Sequence, residues 1–223
     1  MTRKISKQYD TFANEFSKLA RKQNAVNIDE MHKQINFSIE NKKVLDMGCG
    51  DGEDLIFYKS KGAIVHGIDA SKELINLAKQ RLPDVDLKVC LFEDTPYKNN
   101  FFDSVVSKYA FQHSREIEPI YKEVVRIIKK NGLFIFLVTH PFRQFIEKKK
   151  KNKNYFKKEV VNSIILDATL TVKEPSHTLS EYFSDFFLDN FEIISIVEKH
   201  DPAAEKIEND VYPGFMIIKA RKK

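Results

Sequence analysis

Residues 44–52 read Val44-Leu45-Asp46-Met47-Gly48-Cys49-Gly50-Asp51-Gly52. No other stretch constrains the fold as much. Apolar residues run into an aspartate, three glycines fall at alternate positions, and a helix-forming stretch follows from Glu53 to Ser60. The apolar start is a buried strand end. The glycines make a turn that brings bare backbone close to something else. Strand, glycine turn and helix open many α/β sheets, whose ligands sit at the mouth of the first strand. A glycine turn also serves as a plain strand-to-helix connection, so the rest of the chain has to decide.

Two helices are expected before this unit. Ile5, Tyr9, Phe12, Phe16 and Leu19 keep helical spacing over 5–20, and Ile28, Met31, Ile35 and Ile39 keep it over 25–39. Strands and helices then alternate: strand 43–47, helix 53–61, strand 63–68 ending at Asp69, a helix capped by Ser71, strand 86–91, strand 102–107, helix 117–130 stopped by Asn131-Gly132, and strand 133–139. The last of these is apolar almost throughout, as a strand covered on both faces should be. Alternation of this kind predicts a parallel sheet with helices on both faces. Over 141–190 it breaks into a basic helix, a strand candidate at 169–173 and an aromatic run at 181–188. The strands expected at 191–199 and 214–220 are joined by a stretch too short for a crossover helix, so they pair as an antiparallel hairpin.

The 223 residues predict one domain: a helical cover over 1–40, a core over 41–140, an insertion over 141–190 and a terminal hairpin over 191–223. No run approaches the roughly 18 apolar residues of a membrane helix, and no secretory signal precedes Asp10. The two cysteines, Cys49 and Cys90, make neither a disulfide framework nor a CxxC pattern, so no metal is expected and the setting expected is cytoplasmic. The net charge of +5 is partly local, since Lys148–Lys151, Lys153, Lys157 and Lys158 crowd one segment. Such a segment is either a solvated face or a patch that draws phosphates.

Polar residues fall at successive strand ends. Asp69 closes the second strand, Glu93-Asp94 follow the third, and Ser107-Lys108-Tyr109 follow the fourth. An acid at the end of the second strand can accept hydrogen bonds from both hydroxyls of a ribose. An acid after the third can read an adenine amine. A backbone-only turn leaves room for an amino-acid moiety.

The combined run VLDMGCGDG, GIDAS, ED, FDSVVS and IIKKNGLF resembles the class I S-adenosylmethionine-dependent methyltransferases over about residues 41–139. Dinucleotide oxidoreductases are the nearest competitor, but their G-x-G-x-x-G spacing is missing after Gly50. The resemblance implies a doubly wound, mostly parallel seven-stranded Rossmann-like sheet, with a C-terminal antiparallel hairpin and a lid inserted before the sixth strand. It implies S-adenosyl-L-methionine as cofactor. Gly48 and Gly50 would line its methionine moiety, and Asp46 would orient the turn and approach the amine. Asp69 would hold the ribose, with Ala70 beside the adenine, and Glu93 or, by preference, Asp94 would reach the adenine. Ser107 and Lys108 would face the sulfonium end, and Tyr9 would close over the cofactor. A sulfonium methyl is already activated, so positioning is the main requirement; a base matters only if the acceptor has a proton to lose.

His113 and His140, in loops after the fourth and fifth strands, are the candidate bases. His177 and Tyr182 in the insertion, Tyr109, and Tyr212 at the last strand are candidate substrate contacts. The leading expectation is methyl transfer to a small molecule by a monomer or homodimer. RNA or protein methylation through the 148–158 lysines, and a cofactor-binding subunit without turnover, are the alternatives.

Overall fold

The computed structural model describes residues 3–20, 26–148, 151–165, 169–201 and 211–223. Seven strands form one sheet: β1 (Lys43–Met47), β2 (Ile64–Asp69), β3 (Asp86–Val89), β4 (Phe102–Lys108), β5 (Ile128–Thr139), β8 (Phe191–Lys199) and β9 (Phe215–Lys222). Their order is β3-β2-β1-β4-β5-β9-β8. The first five run parallel, and β9 lies antiparallel to both β5 and β8. The strand order reverses between β1 and β4, which places the ligand crevice of an open α/β sheet at their carboxyl ends.

β5 shows why the sheet is covered on both faces. Phe134, Phe136 and Val138 join one buried cluster with Ile120, Tyr121 and Val124 of α5 (Glu118–Ile127) and Phe187 of α8 (Asp185–Asn190). Ile135 and Leu137 join the other, with Leu55 and Tyr58 of α3 (Glu53–Ser60) and Ile75 and Ala78 of α4 (Lys72–Arg81). The two-residue period of a strand divides them.

The N-terminal helices are α1 (Arg3–Ala20), kinked at Phe12, and α2 (Val26–Lys33). α2 stops short of the expected residue 39. The ammonium of Lys219 takes the Gln34 carbonyl and the Asn36 amide oxygen, tying 34–36 to β9. α5 likewise ends at Ile127 and not at Lys130. Its last carbonyls accept from the Asn100 and Phe101 N–H groups, and the chain turns directly into β5. β3 closes at Val89, two residues before the expected end.

The insertion holds α6 (Pro141–Glu147), a two-stranded antiparallel sheet of β6 (Val160–Ile165) and β7 (Leu170–Pro175), and α7 (Leu179–Tyr182) before α8. Only one strand was expected there. The expected basic helix is α6, and the lysine run lies beyond its end. Among the described residues no helix is long and apolar enough to cross a membrane.

Candidate functional site

The turn after β1 is fastened to the end of β2, because the Gly48 and Cys49 N–H groups both donate to the Ile68 carbonyl. Gly48 has φ +94°, and a Cβ there would stand 2.1 Å from the Ala110 Cβ. A side chain is therefore excluded by conformation and by space. Ser107 donates to the Met47 carbonyl at 2.7 Å, holding the ends of β4 and β1 together.

Three buried carboxyls surround this turn. Asp46 is pushed well above the usual carboxylate range by burial and then by Asp54 and Asp69, against the pull of Lys108. Asp54 is held at about 2: burial opposes its charge, but Lys108 and His32 outweigh it. The contacts are 2.5 Å from Lys108 Nζ and 2.9 Å from His32 Nε2. Asp69 is raised to about 6 by burial, although one oxygen accepts the Gly50 N–H at 3.0 Å and the other the Ser71 N–H at 2.8 Å.

The cover is specific. Asp10 of α1 accepts from the Ser71 hydroxyl at 2.6 Å and from the Glu73 N–H at 3.2 Å, adding to the cap that Ser71 gives α4. Ser17 donates to Asp51 at 2.6 Å, and Arg81 reaches the same carboxylate at 2.9 Å. The Phe16 ring lies 3.8 Å from where a Cβ on Gly50 would be. Tyr9 packs tilted against Phe12 and edge-on against Phe16, and its hydroxyl meets His113 Nε2 at 2.9 Å. Burial, then Glu174 and Asp69, raise its phenol.

The structure therefore brings Tyr9, Asp46, Gly48, Gly50, Asp69, Ser107 and His113 to one end of the sheet, and Ala70 sits partly buried beside Asp69. Asp94, the preferred adenine contact, is exposed, whereas Glu93 is turned in and accepts from Ser114 at 2.5 Å. Lys108 spends its ammonium on Asp54. Tyr109 has φ +50° and accepts from Asn27 at 3.2 Å.

His140 is placed otherwise. It caps α6 by accepting the Phe142 N–H on Nδ1 at 3.1 Å, and its Nε2 meets Glu198 of β8 at 2.7 Å. Both ring nitrogens are committed to architecture. Tyr212 packs against Phe142 under the same helix.

His177 belongs to a buried polar group centred on Glu174, a residue that no sequence motif marks, and the Tyr182 ring packs against His177 from the apolar core. Glu174 of β7 accepts from Gln112, Gln144 and Ser163, each at 2.8 Å, and lies 3.6 Å from His113 Nδ1. His177 Nε2 donates to the Gln112 carbonyl at 2.9 Å, and its Nδ1 meets Glu181 at 3.0 Å. Burial works against the Glu181 charge, but His177, Lys158 and the Thr178 N–H together hold it at about 2. One signal was available for Glu174: it falls two residues after the buried Val172, on the inward face of β7.

These residues fit S-adenosylmethionine on observations of this fold. A carboxyl driven upward by burial and by like charges, as Asp46 is, suits an ammonium neighbour. Asp69 keeps lone-pair capacity for hydroxyl donors beyond its backbone bonds. The glycine turn offers backbone without side chains.

The comparisons agree. Residues 45–136 match the methyltransferase domain family. An uncharacterised protein of Methanocaldococcus jannaschii is 27% identical over 85% of this chain and 77% of its own length. A ubiquinone biosynthesis O-methyltransferase of Pelagibacter ubique is 35% identical over 45% of this chain and 43% of its own. The chain spans about half the length of the curated methyltransferases it matches, or less. The crystal structure of a putative S-adenosylmethionine-dependent methyltransferase from Listeria monocytogenes covers 88% of this chain and 98% of its own, with 26% identity and a TM-score of 0.72. Residues 45–136 carry a methyltransferase domain, within a fold shared with S-adenosylmethionine-dependent methyltransferases.

Proposed function

We propose that this chain transfers a methyl group from S-adenosylmethionine to a small-molecule acceptor. The observation that carries the reading is the cover: α1 lies across the glycine turn and the end of β2 through Asp10, Phe16 and Ser17. A site closed by its own chain suits a ligand that can be enclosed, and exclusion of water strengthens the electrostatics inside. Asp46 would orient the cofactor's amine and Asp69 its ribose; Gly48 and Gly50 would line its methionine part, and Glu93 would face its adenine. Bound there, the cofactor supplies an electrophilic methyl. The protein's own task is to fix the acceptor in line with that methyl and keep water out.

The lysine segment supports the same reading. Lys148 donates to the Asn154 and Lys157 carbonyls, Lys153 to the Ile146 carbonyl, and Lys158 to the Arg115 carbonyl and to Glu181. These ammonium groups hold the insertion together, which leaves fewer of them for a phosphate backbone. The ubiquinone-pathway enzyme of Pelagibacter ubique acts on a small molecule by its name, and the proposal places this chain in that class. The test is a labelled-methyl assay with two acceptor pools from the same cells, one of metabolites and one of RNA with protein. Label should enter the metabolite pool. Label confined to the macromolecular pool would overturn the proposal.

A further inference from the structure

Behind the cover runs a polar chain that cofactor binding does not use. It starts at the Tyr9 hydroxyl, passes to His113 Nε2 at 2.9 Å, and continues from Nδ1 to Glu174 at 3.6 Å. His113 and Glu174 are 2% and 1% exposed, and Nδ1 has no hydrogen-bond partner. No capping or strand-pairing role accounts for a histidine in this position.

The direction of the chain follows from hydrogen-bond accounting. Ser163 Oγ lies 2.8 Å from Glu174 and 3.0 Å from Glu147. A hydroxyl has one proton to give. Glu147 is already paired with Arg143 at 2.8 Å, so the two carboxyls share one hydroxyl donor between them. Glu174 accepts from the Gln112 and Gln144 amide N–H groups, which can only donate, one on each of its oxygens. An acceptor facing Nδ1 favours the ring tautomer that carries its proton there. Nε2 is then a lone pair, and Tyr9 is the donor to it.

Three titratable groups act on the His113 ring from the elements around it. Glu174 of β7 draws a proton in, His177 after β7 repels one, and Tyr9 of α1 occupies Nε2. Tyr9 in turn stands between this chain and the glycine turn, since its ring packs on Phe16 and its phenol responds to Asp69. Its oxygen has further acceptor capacity while it donates to His113.

We infer that Tyr9, His113 and Glu174 form a proton relay serving a hydroxyl acceptor, so that the substrate is an alcohol or phenol and the product an ether. The inference rests on the methyl-transfer reading above. As the acceptor oxygen bonds to the methyl carbon, the carbon–sulfur electron pair stays on sulfur. The acceptor's O–H proton passes to Tyr9 Oη, and the Tyr9 proton passes to His113 Nε2. The imidazolium so formed faces Glu174, and after product leaves it gives one proton back through Tyr9 to water. Tyr9 is the catalytic residue here. His113 positions it and takes up its proton, and Glu174 faces the imidazolium charge.

Two readouts test this. The first needs no acceptor: nitrogen-15 NMR of the His113 ring in the full chain, free and with S-adenosylhomocysteine. The relay requires a proton on Nδ1 and a bare Nε2 in wild type, with that preference lost in Glu174→Gln and the Nε2 signal shifted in Tyr9→Phe. A wild-type ring protonated on Nε2 alone overturns it. The second uses labelled S-adenosylmethionine with simple phenols and alcohols, and with pyridines, which have no proton to lose. Transfer should favour the hydroxyl compounds. Tyr9→Phe should lower kcat about 100-fold with little change in the cofactor KM, and should flatten the pH profile. Pyridine transfer at an equal rate, an unchanged kcat in Tyr9→Phe, or no hydroxyl compound accepting label while S-adenosylhomocysteine still binds would each overturn the acceptor class. Failure of S-adenosylhomocysteine to bind would instead overturn the methyl-transfer reading, and the tautomer in the free chain would still decide the relay.

Discussion

Affinity for S-adenosylhomocysteine should rise about tenfold between pH 5 and pH 7 and then level off. Asp69 sets this dependence, because burial raises its carboxyl to about 6. Hydroxyl donors of a ribose bind the ionised form. At pH 5 roughly a tenth of a group titrating near 6 is ionised, and at pH 7 roughly nine tenths, which is a factor of about ten, or about 1.4 kcal/mol. Binding near pH 6 should therefore release protons. The same shift acts on stability with a definite sign. A carboxyl raised from 3.8 to about 6 on folding favours the unligated fold fully below about pH 4, and that contribution, about 3 kcal/mol, is lost as pH rises through about 6. Ligand should matter most to stability above that point. The assay is calorimetric titration from pH 5 to 8 in buffers of different ionisation enthalpy, with Asp69→Asn alongside. Asp46 is also raised, so the difference between wild type and Asp69→Asn isolates Asp69. Affinity that is flat or falling over this range in wild type, or a pH slope unchanged in Asp69→Asn, would refute the reasoning.

Three further outcomes test the frame around the site. Gly48→Ala puts a Cβ 2.1 Å from the Ala110 Cβ at φ +94°, and should cost on the order of 3 kcal/mol or more in urea unfolding. Asp10→Ala removes two hydrogen bonds at the N-terminus of α4; stability should fall by about 1 kcal/mol, and hydrogen exchange should quicken in α1 while β5 stays protected. Lys219→Met deletes the bonds to the Gln34 carbonyl and the Asn36 side chain, together with the ammonium's contact over the Phe37 ring. The cost should be about 1–2 kcal/mol, with faster exchange at the end of α2 and no change at α4.

The sheet was legible because its signals are local and redundant. The apolar run of β5, the glycines after β1 and the Ser71 cap each name an element without knowing its neighbours. The terminal hairpin followed from a connection too short for anything else. What stayed hidden depends on partners distant in sequence. α2 and α5 keep helical spacing past their true ends, and only Lys219 or the 100–101 backbone shows where their carbonyls are claimed. The lysines of the insertion looked like a solvated run until Lys148 and Lys158 were seen to serve carbonyls. In the site, the acids at strand ends were readable from position alone. His140 stood at an equally suggestive strand end, yet it caps α6 and pairs with Glu198, a residue 58 positions away. In the sequence Glu174 is one charged residue among many. Its role appears only where β7 carries it between Gln112, Gln144 and His113.

The most direct measurement is calorimetric titration of the full chain with S-adenosylmethionine and S-adenosylhomocysteine at pH 7.5. One saturable site per chain is expected for both, with binding weakened at least tenfold in Asp69→Ala. No binding of either compound, or binding that Asp69→Ala leaves unchanged, would contradict it.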